Sequence, residues 1–485
     1  MRITTVFIAL LLYNGIFAQK SNKVLNADEQ DLIDYLFSDC TPSKPGASVW
    51  VISKGDLVYE ANYGLANVDQ STKIDSNTNF RIASVTKQFT AACIMILVKK
   101  GQLNYTSNLR DIFPDFPEYG NNITIRHLLT HQSGIVDYNG FIEESRTEQL
   151  LDYEILEFLK QSHKTYFEPG TSYRYSNSGY AVLAQIIEKV SGISFASFVK
   201  QEIFETLGMH NSMVFQQNQN ITNRAFGYAV MNDSIRFNDQ SITSAIQGDG
   251  GIYCSTSDYY KWDQALYKGE LIPKKELEDA FIDWDNHSKT MKDGEGYGWF
   301  VEYQNGIKIL HHSGGTAGFE SQVIRIPDLE LSIVLFSNRN WPSRNLRYKV
   351  RALASIFSDY KISMPIEIVL KKEIEQNGIL EGIKVYHTLK HEDHYKTDAL
   401  ELYYLGIIYL NQHRNKVSKA IFKTITLDFP RYANAYYGLG IAHKRMNETK
   451  AAMNSFKKAI ELSADKNSTI ATRSKQHLSE LLGSN

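Results

Sequence analysis

The sequence predicts an α+β fold: an antiparallel sheet flanked by helices with a helical subdomain, followed by a small all-α repeat domain. Three observations carry this. Strand-like runs bounded by turn residues occur near both ends of the first 360 residues, at 47–61 and again at 307–336. Helical and loop-rich chain lies between them, so one sheet is closed by segments distant in sequence. Beyond residue 365 a pattern of paired helices recurs at a fixed offset of 34 residues.

In chain order, Met1 to Ala18 has a basic start, a short apolar run and a small residue at its end, which reads as a secretory signal cleaved after Ala18. The apolar run is too short to span a bilayer comfortably. The expected location is therefore outside the cytoplasm, periplasmic or extracellular, with no membrane span after cleavage. A polar lead-in precedes a helix over 28–37. Ala47–Ser53 and Asp56–Ala61 flank Lys54-Gly55 and read as a β-hairpin. Helices are expected over 125–131, 145–163 and 180–190. Ile307–His311, Ser321–Ile326 and Leu331–Phe336 are three further strands, separated by Gly-rich or Pro-Asp turns. A helix over 346–358 then leads to the connector 361–365, where the domain boundary is placed.

Past that connector, Leu405-Gly406, Tyr409, Phe422 and Pro430 recur as Leu439-Gly440, His443, Phe456 and Ala464. The period and the paired helices resemble tetratricopeptide repeats over 366–482. A degenerate earlier copy fits 373–390, and a closing helix fits 469–482. Two readings stand for this region: a helical unit with no ligand, or a groove for a protein partner.

Composition excludes several classes. The chain has 485 residues, 43% apolar and 22% charged, as in ordinary globular proteins. Lysine plus arginine number 52 against 54 acidic residues, so no basic footprint for nucleic acid exists. Cys40, Cys93 and Cys254 are too few and uneven for a disulfide framework. No Gly-x-Ser-x-Gly elbow, His-Glu-x-x-His or phosphate-cradling Gly-Lys-Ser loop occurs.

The chemistry centres on Ser84-Val85-Thr86-Lys87, which opens a long apolar run. If a helix starts there, Ser84 and Lys87 share one face. A serine hydroxyl needs a base within reach, and a lysine amine stripped of water serves once its pKa falls from about 10.4. The Ser84 N–H, at a helix start, is a candidate oxyanion donor. The same spacing recurs at Ser197/Lys200, Ser358/Lys361, Ser455/Lys458 and Ser463/Lys466, so context singles out Ser84.

Two more pieces supply partners. In Tyr175-Ser176-Asn177 the outer residues are two apart, and in an extended loop both side chains reach one cleft. Tyrosine beside a cationic lysine is expected to be partly ionised and to pass protons, and asparagine offers a donor and an acceptor for a substrate amide. Tyr303-Gln304-Asn305 repeats the spacing in a hairpin turn and reads as structural. His312-Ser313-Gly314-Gly315 ends a strand, where small residues admit a substrate and the Gly315 N–H is a second oxyanion donor.

These three elements in order resemble the serine β-lactamase and penicillin-binding-protein superfamily, in its class C-like serine hydrolase branch, over residues 29–358. Flanking segments agree: Ile123–Ile135, Phe167-Glu168-Pro169-Gly170 and Gly248-Asp249-Gly250-Gly251-Ile252-Tyr253. The resemblance implies a serine hydrolase domain over 29–360 with the β-lactamase/transpeptidase fold and no cofactor or metal. It implies an acyl-enzyme on Ser84, with Lys87 and Tyr175 sharing the proton as a coupled pair. Asn177, His312, Ser313 and Gly314 would bind substrate, and the Ser84 and Gly315 N–H groups would hold the oxyanion.

One departure stands out. Many β-lactamases carry lysine where this chain has His312, and a mostly neutral imidazole attracts a substrate carboxylate less, which argues against efficient penicillin turnover. The expected substrate is a small molecule or peptide with an ester, amide or D-amino-acid peptide bond, as in D-Ala-D-Ala carboxypeptidases and esterases. The alternative is a penicillin-binding sensor or scaffold with little turnover. Two histidine sets offer further roles: His387, His391 and His394 as a zinc face, and His127 with His131 as cleft wall.

Overall fold

The computed structural model describes residues 19–21, 23–231, 234–284, 293–340, 345–465 and 468–483. The expected signal, 1–18, lies outside the described residues. Two compact units result: one runs to Asn340, and the other holds the chain from 341 onward together with Gln304–Gly306.

The first unit is built on an eight-stranded sheet with strands β1 (Gln19–Ser21), β2 (Ala47–Ser53), β3 (Asp56–Tyr63), β4 (Gly294–Glu295), β5 (Phe300–Gln304), β6 (Ile307–Thr316), β7 (Phe319–Ile326) and β8 (Leu331–Ser337). Their order is β1-β3-β2-β8-β7-β6-β5-β4. The β2–β3 hairpin turns at Lys54 (φ 52°) and Gly55 (φ 83°), two positive φ values that match the right-handed twist of the strands. β8 pairs antiparallel with β2 from Leu331↔Ser53 to Ser337↔Ala47, which closes the sheet between segments nearly 300 residues apart. The predicted closure by distant strands is what the structure shows.

Helices of this unit that position the site are α1 (Ala27–Leu36), α2 (Thr86–Lys99), α3 (Ile125–Leu129), α4 (Asp152–Ser162), α5 (Asn177–Ser191) and α6 (Thr256–Lys268). α2 is buried on all sides from Thr86 to Leu97, the pattern of a central core helix rather than of a surface amphipath. α5 is capped by Ser176, whose hydroxyl accepts the Gly179 N–H at 3.0 Å, and ends at Gly192 with φ 76°. Asn177 is therefore the first helical residue, not part of an extended loop as expected. Cys40, Cys93 and Cys254 are all buried. Among the described residues no single helix is long and apolar enough to cross a membrane.

The second unit is helical: α7 (Asn345–Phe357), α8 (Ile366–Asn377), α9 (Ile379–Leu389), α10 (Ala399–Asn411), α11 (Asn415–Asp428), α12 (Ala433–Arg445), α13 (Thr449–Leu462) and α14 (Thr469–Gly483). Two glycines of this unit pack alike, each against a phenylalanine. A Cβ on Gly406 would meet the Phe422 ring at 2.5 Å, and one on Gly440 would meet the Phe456 ring at 2.6 Å. The compact units divide at Asn340, upstream of the 361–365 connector named from the sequence. The reason is that α7 packs on the short strand Met364–Pro365, and the Tyr348 hydroxyl donates to Glu401 on α10.

Candidate active site

Ser84 sits in a 3₁₀ turn, Ala83–Val85, that runs directly into α2, so Lys87 is the second residue of the helix and lies on the same face. Ala83 has φ 48°, a left-handed conformation that is costly for a residue with a Cβ. The strain turns the chain sharply from the strand Phe80–Arg81 and leaves Ser84 partly exposed while its neighbours are buried.

Lys87 is fully buried and holds three contacts. Its Nζ donates to Asn177 Oδ1 and to the Asp249 carbonyl, each at 2.8 Å, and stands 3.3 Å from Ser84 Oγ. Burial pushes its pKa down to about 8, against smaller upward pulls from the Asp249 and Glu295 carboxylates. A neutral amine has two N–H bonds and one lone pair. The two carbonyl-type oxygens take the N–H bonds, which leaves the lone pair for the longer contact to Ser84.

Tyr175 comes from the loop just before α5. Its hydroxyl neighbours Ser84, which eases its ionisation, and its ring lies 4.9 Å from Lys87 Nζ. Burial raises the phenol well above its ordinary value, only partly offset by Ser84. This corrects the expectation of a partly ionised tyrosine: desolvation outweighs the neighbouring lysine, so the phenol rests protonated.

β6 brings the third element. Alternation along the strand buries His312 and Gly314 and exposes Ser313 and Gly315. The His312 ring faces inward, 5.0 Å from Phe300 and 6.3 Å from Tyr175 between centroids. Its Nδ1 lies 2.7 Å from the Ser313 carbonyl and so carries the proton. Burial, with Lys87 nearby, drops its pKa to about 3. His312 thus lies under the site as a neutral group and not, as expected, at the substrate-facing surface. Gly314 is the close approach: a Cβ there would stand 2.3 Å from the Ile82 carbonyl and 3.0 Å from Ser84 N.

All the named residues, Ser84, Lys87, Tyr175, Asn177, His312, Ser313, Gly314 and Gly315, fall in one neighbourhood. Two further groups join them. Asp249, from the Gly-rich run, offers its carbonyl to Lys87, while its carboxylate accepts the Tyr138 hydroxyl at 2.9 Å. His131, in the quoted 123–135 segment, is buried against Tyr175, with ring centroids 4.4 Å apart. The zinc face read from His387 and His391 does not form, because α9 ends at Leu389 and breaks the helical spacing between them. Among the described residues one group brings metal-type donors together: His311 Nε2 lies 3.4 Å from Asp293 and 3.8 Å from Glu302.

A strained serine turn, a buried lysine and a protonated tyrosine meet beside β6. Residues 33–356 match the Beta-lactamase family, and the chain belongs to it. It is similar to "Penicillin-binding protein 4*" of Bacillus subtilis, 35% identical over 303 residues, 59% of this chain and 66% of that protein. It is also similar to the D-aminopeptidase of Brucella anthropi, 25% identical over 328 residues, 66% of this chain and 61% of that protein. The chain thus spans less than two thirds of the length of these curated relatives. Among solved structures, the octameric penicillin-binding protein homologue from Pyrococcus abyssi superposes with a TM-score of 0.61 at 25% identity, covering 71% of this chain and 81% of that one. The D-amino acid amidase from Ochrobactrum anthropi SV3 superposes at 0.59 with 21% identity, covering 69% and 100%, and shares the fold.

Proposed function

We propose that this protein is an exported, class C-type serine hydrolase that cleaves ester, amide or D-amino-acid peptide bonds through an acyl-enzyme on Ser84. One observation carries the reading: Lys87 Nζ contacts Ser84 Oγ at 3.3 Å while Asn177 Oδ1 and the Asp249 carbonyl hold it at 2.8 Å. In its neutral form Lys87 takes the Ser84 proton as Oγ attacks the carbonyl carbon. Tyr175, already protonated, passes a proton to the leaving group and is refilled from Lys87, so the two act as one coupled pair. The Ser84 and Gly315 N–H groups receive the oxyanion, and water releases the acyl group with Tyr175 assisting.

Substrate choice follows from charge. His312 is neutral at any working pH, so β6 presents no fixed cation to a substrate carboxylate. This supports peptidase, amidase or esterase work over penicillin hydrolysis, and the likeness to a D-aminopeptidase points the same way. The basic start and short apolar run of residues 1–18 support export, and the like Gly–Phe packing in the second unit supports tetratricopeptide-like repeats, a candidate groove for a protein partner.

The test is intact-mass detection of adducts after incubation with activated esters, D-Ala-D-Ala peptides and β-lactams, run beside Ser84→Ala. Adducts that Ser84→Ala abolishes are expected, with rapid release for the true substrate class. No adduct with any probe overturns the assignment. A β-lactam adduct without release, and no turnover elsewhere, favours the sensor reading.

A further inference from the structure

The segment carrying Tyr175 hangs on one residue. The His131 carbonyl accepts the Arg174 N–H at 3.0 Å, and its Nδ1 accepts the Ser176 N–H at 3.0 Å. Between these two anchors the imidazole lies against the Tyr175 ring, centroids 4.4 Å apart at 36°. The amides on both sides of Tyr175 and the face of its ring are thus held together.

The bonding also sets the tautomer. Because Nδ1 accepts, the proton is on Nε2. That Nε2 is buried without a hydrogen-bond partner, and Glu295 Oε1 lies 3.7 Å from it. The other oxygen of Glu295 accepts the Tyr173 hydroxyl at 3.0 Å, so the same carboxylate ties down the start of the segment. His131 itself has φ 58°, a left-handed conformation that persists only where the surroundings enforce it. That turn is what brings its carbonyl and its ring to bear on the same three residues.

We propose that His131 is a positioning residue for Tyr175: its neutral imidazole clamps Arg174–Ser176 so that the Tyr175 hydroxyl stays on Ser84, with Glu295 holding Tyr173 alongside. The inference rests on the acyl-enzyme reading of Ser84. His131 makes no hydrogen bond to Ser84 or Lys87; its ring also packs on Tyr180, 5.1 Å between centroids, but both of its hydrogen bonds fall on the segment that carries Tyr175.

The experiment follows acylation by p-nitrophenyl acetate in the full chain, with rates expressed per Ser84 titrated. His131→Ala is expected to slow acylation on the order of a hundredfold, as a misplaced catalytic group does, with KM changed by less than about threefold. His131→Asn keeps an acceptor near the Nδ1 position and tolerates the left-handed backbone, so it is expected to recover most of the rate. In a Tyr175→Phe background either substitution should cost nothing further.

Wild-type rates in His131→Ala, or equal losses in both backgrounds, overturn the proposal. If His131→Ala does not fold, His131→Asn in the two backgrounds decides it: its residual loss must vanish with Tyr175→Phe. A wild-type protein that p-nitrophenyl acetate fails to label at Ser84 overturns the acyl-enzyme reading itself and is told apart on that ground.

Discussion

Gly314 on the catalytic strand and Ser84 on the helix turn approach so closely that a Cβ at 314 would sit 3.0 Å from Ser84 N, 2.4 Å from Ser321 Oγ and 2.3 Å from the Ile82 carbonyl. The Ser321 hydroxyl itself donates to that carbonyl at 2.6 Å, so the strand and the turn are bolted together at this point. Gly314→Ala must push β6 away from the turn, since backbone atoms cannot swing aside. We expect turnover to fall on the order of a hundredfold, with stability reduced by about 1–3 kcal/mol. Gly315, with open space around its Cβ position, is the control, and Gly315→Ala should leave stability unchanged in the same melts.

The acylation rate should rise with pH through about 8, the value to which burial lowers Lys87. The sign follows from the lone pair: below that pH Lys87 is an ammonium that donates to Ser84, and above it the amine accepts the serine proton. Asp249 pulls the lysine pKa upward by its charge. Asp249→Asn should therefore move the rising limb of kcat/KM to lower pH, as measured with a neutral ester. An unmoved limb would show that the titrating base is not Lys87.

His312 makes acid stability a test of burial. Its pKa falls from 6.5 to about 3 on folding, so between those values the unfolded chain binds the additional proton. The contribution is fully present above pH 6.5 and is lost as pH drops toward 3. Urea midpoints for wild type and His312→Gln, measured between pH 7 and 4, should converge as pH falls, the wild type losing stability faster. Parallel lines would mean that the imidazole titrates freely.

How much of this was legible in the sequence depended on whether the interaction was local. Ser84 and Lys87 could be read because three residues make nearly one helical turn. The Lys54-Gly55 hairpin could be read because its turn chemistry sits in two residues. The charge state of Tyr175 could not, since it depends on burial under rings from three remote segments, His131, Phe300 and His312. The Asp249 carbonyl that holds Lys87 has no side-chain signature, as every residue carries that acceptor. The signal was glycine density alone: a Cβ on Gly248 would meet the Tyr180 carbonyl at 2.2 Å and one on Gly251 would meet Gln247 Cα at 2.6 Å, which marks close packing around the acceptor.

The second unit offers a prediction separable from the chemistry. Gly406 and Gly440 occupy equivalent places, each against a buried phenylalanine, Phe422 and Phe456. A methyl group on Gly440 would stand 2.6 Å from a ring with no solvent side to retreat to, so Gly440→Ala overpacks α12 against α13. A loss of about 1–3 kcal/mol is expected, seen by calorimetry as a transition lowered by several degrees. Acylation of Ser84 should raise a different transition and proceed at the wild-type rate in Gly440→Ala, because every group that touches the serine belongs to the first unit. A single transition that moves with both perturbations would instead show the two units unfolding as one, and the second unit would then have to be counted among the supports of the candidate site.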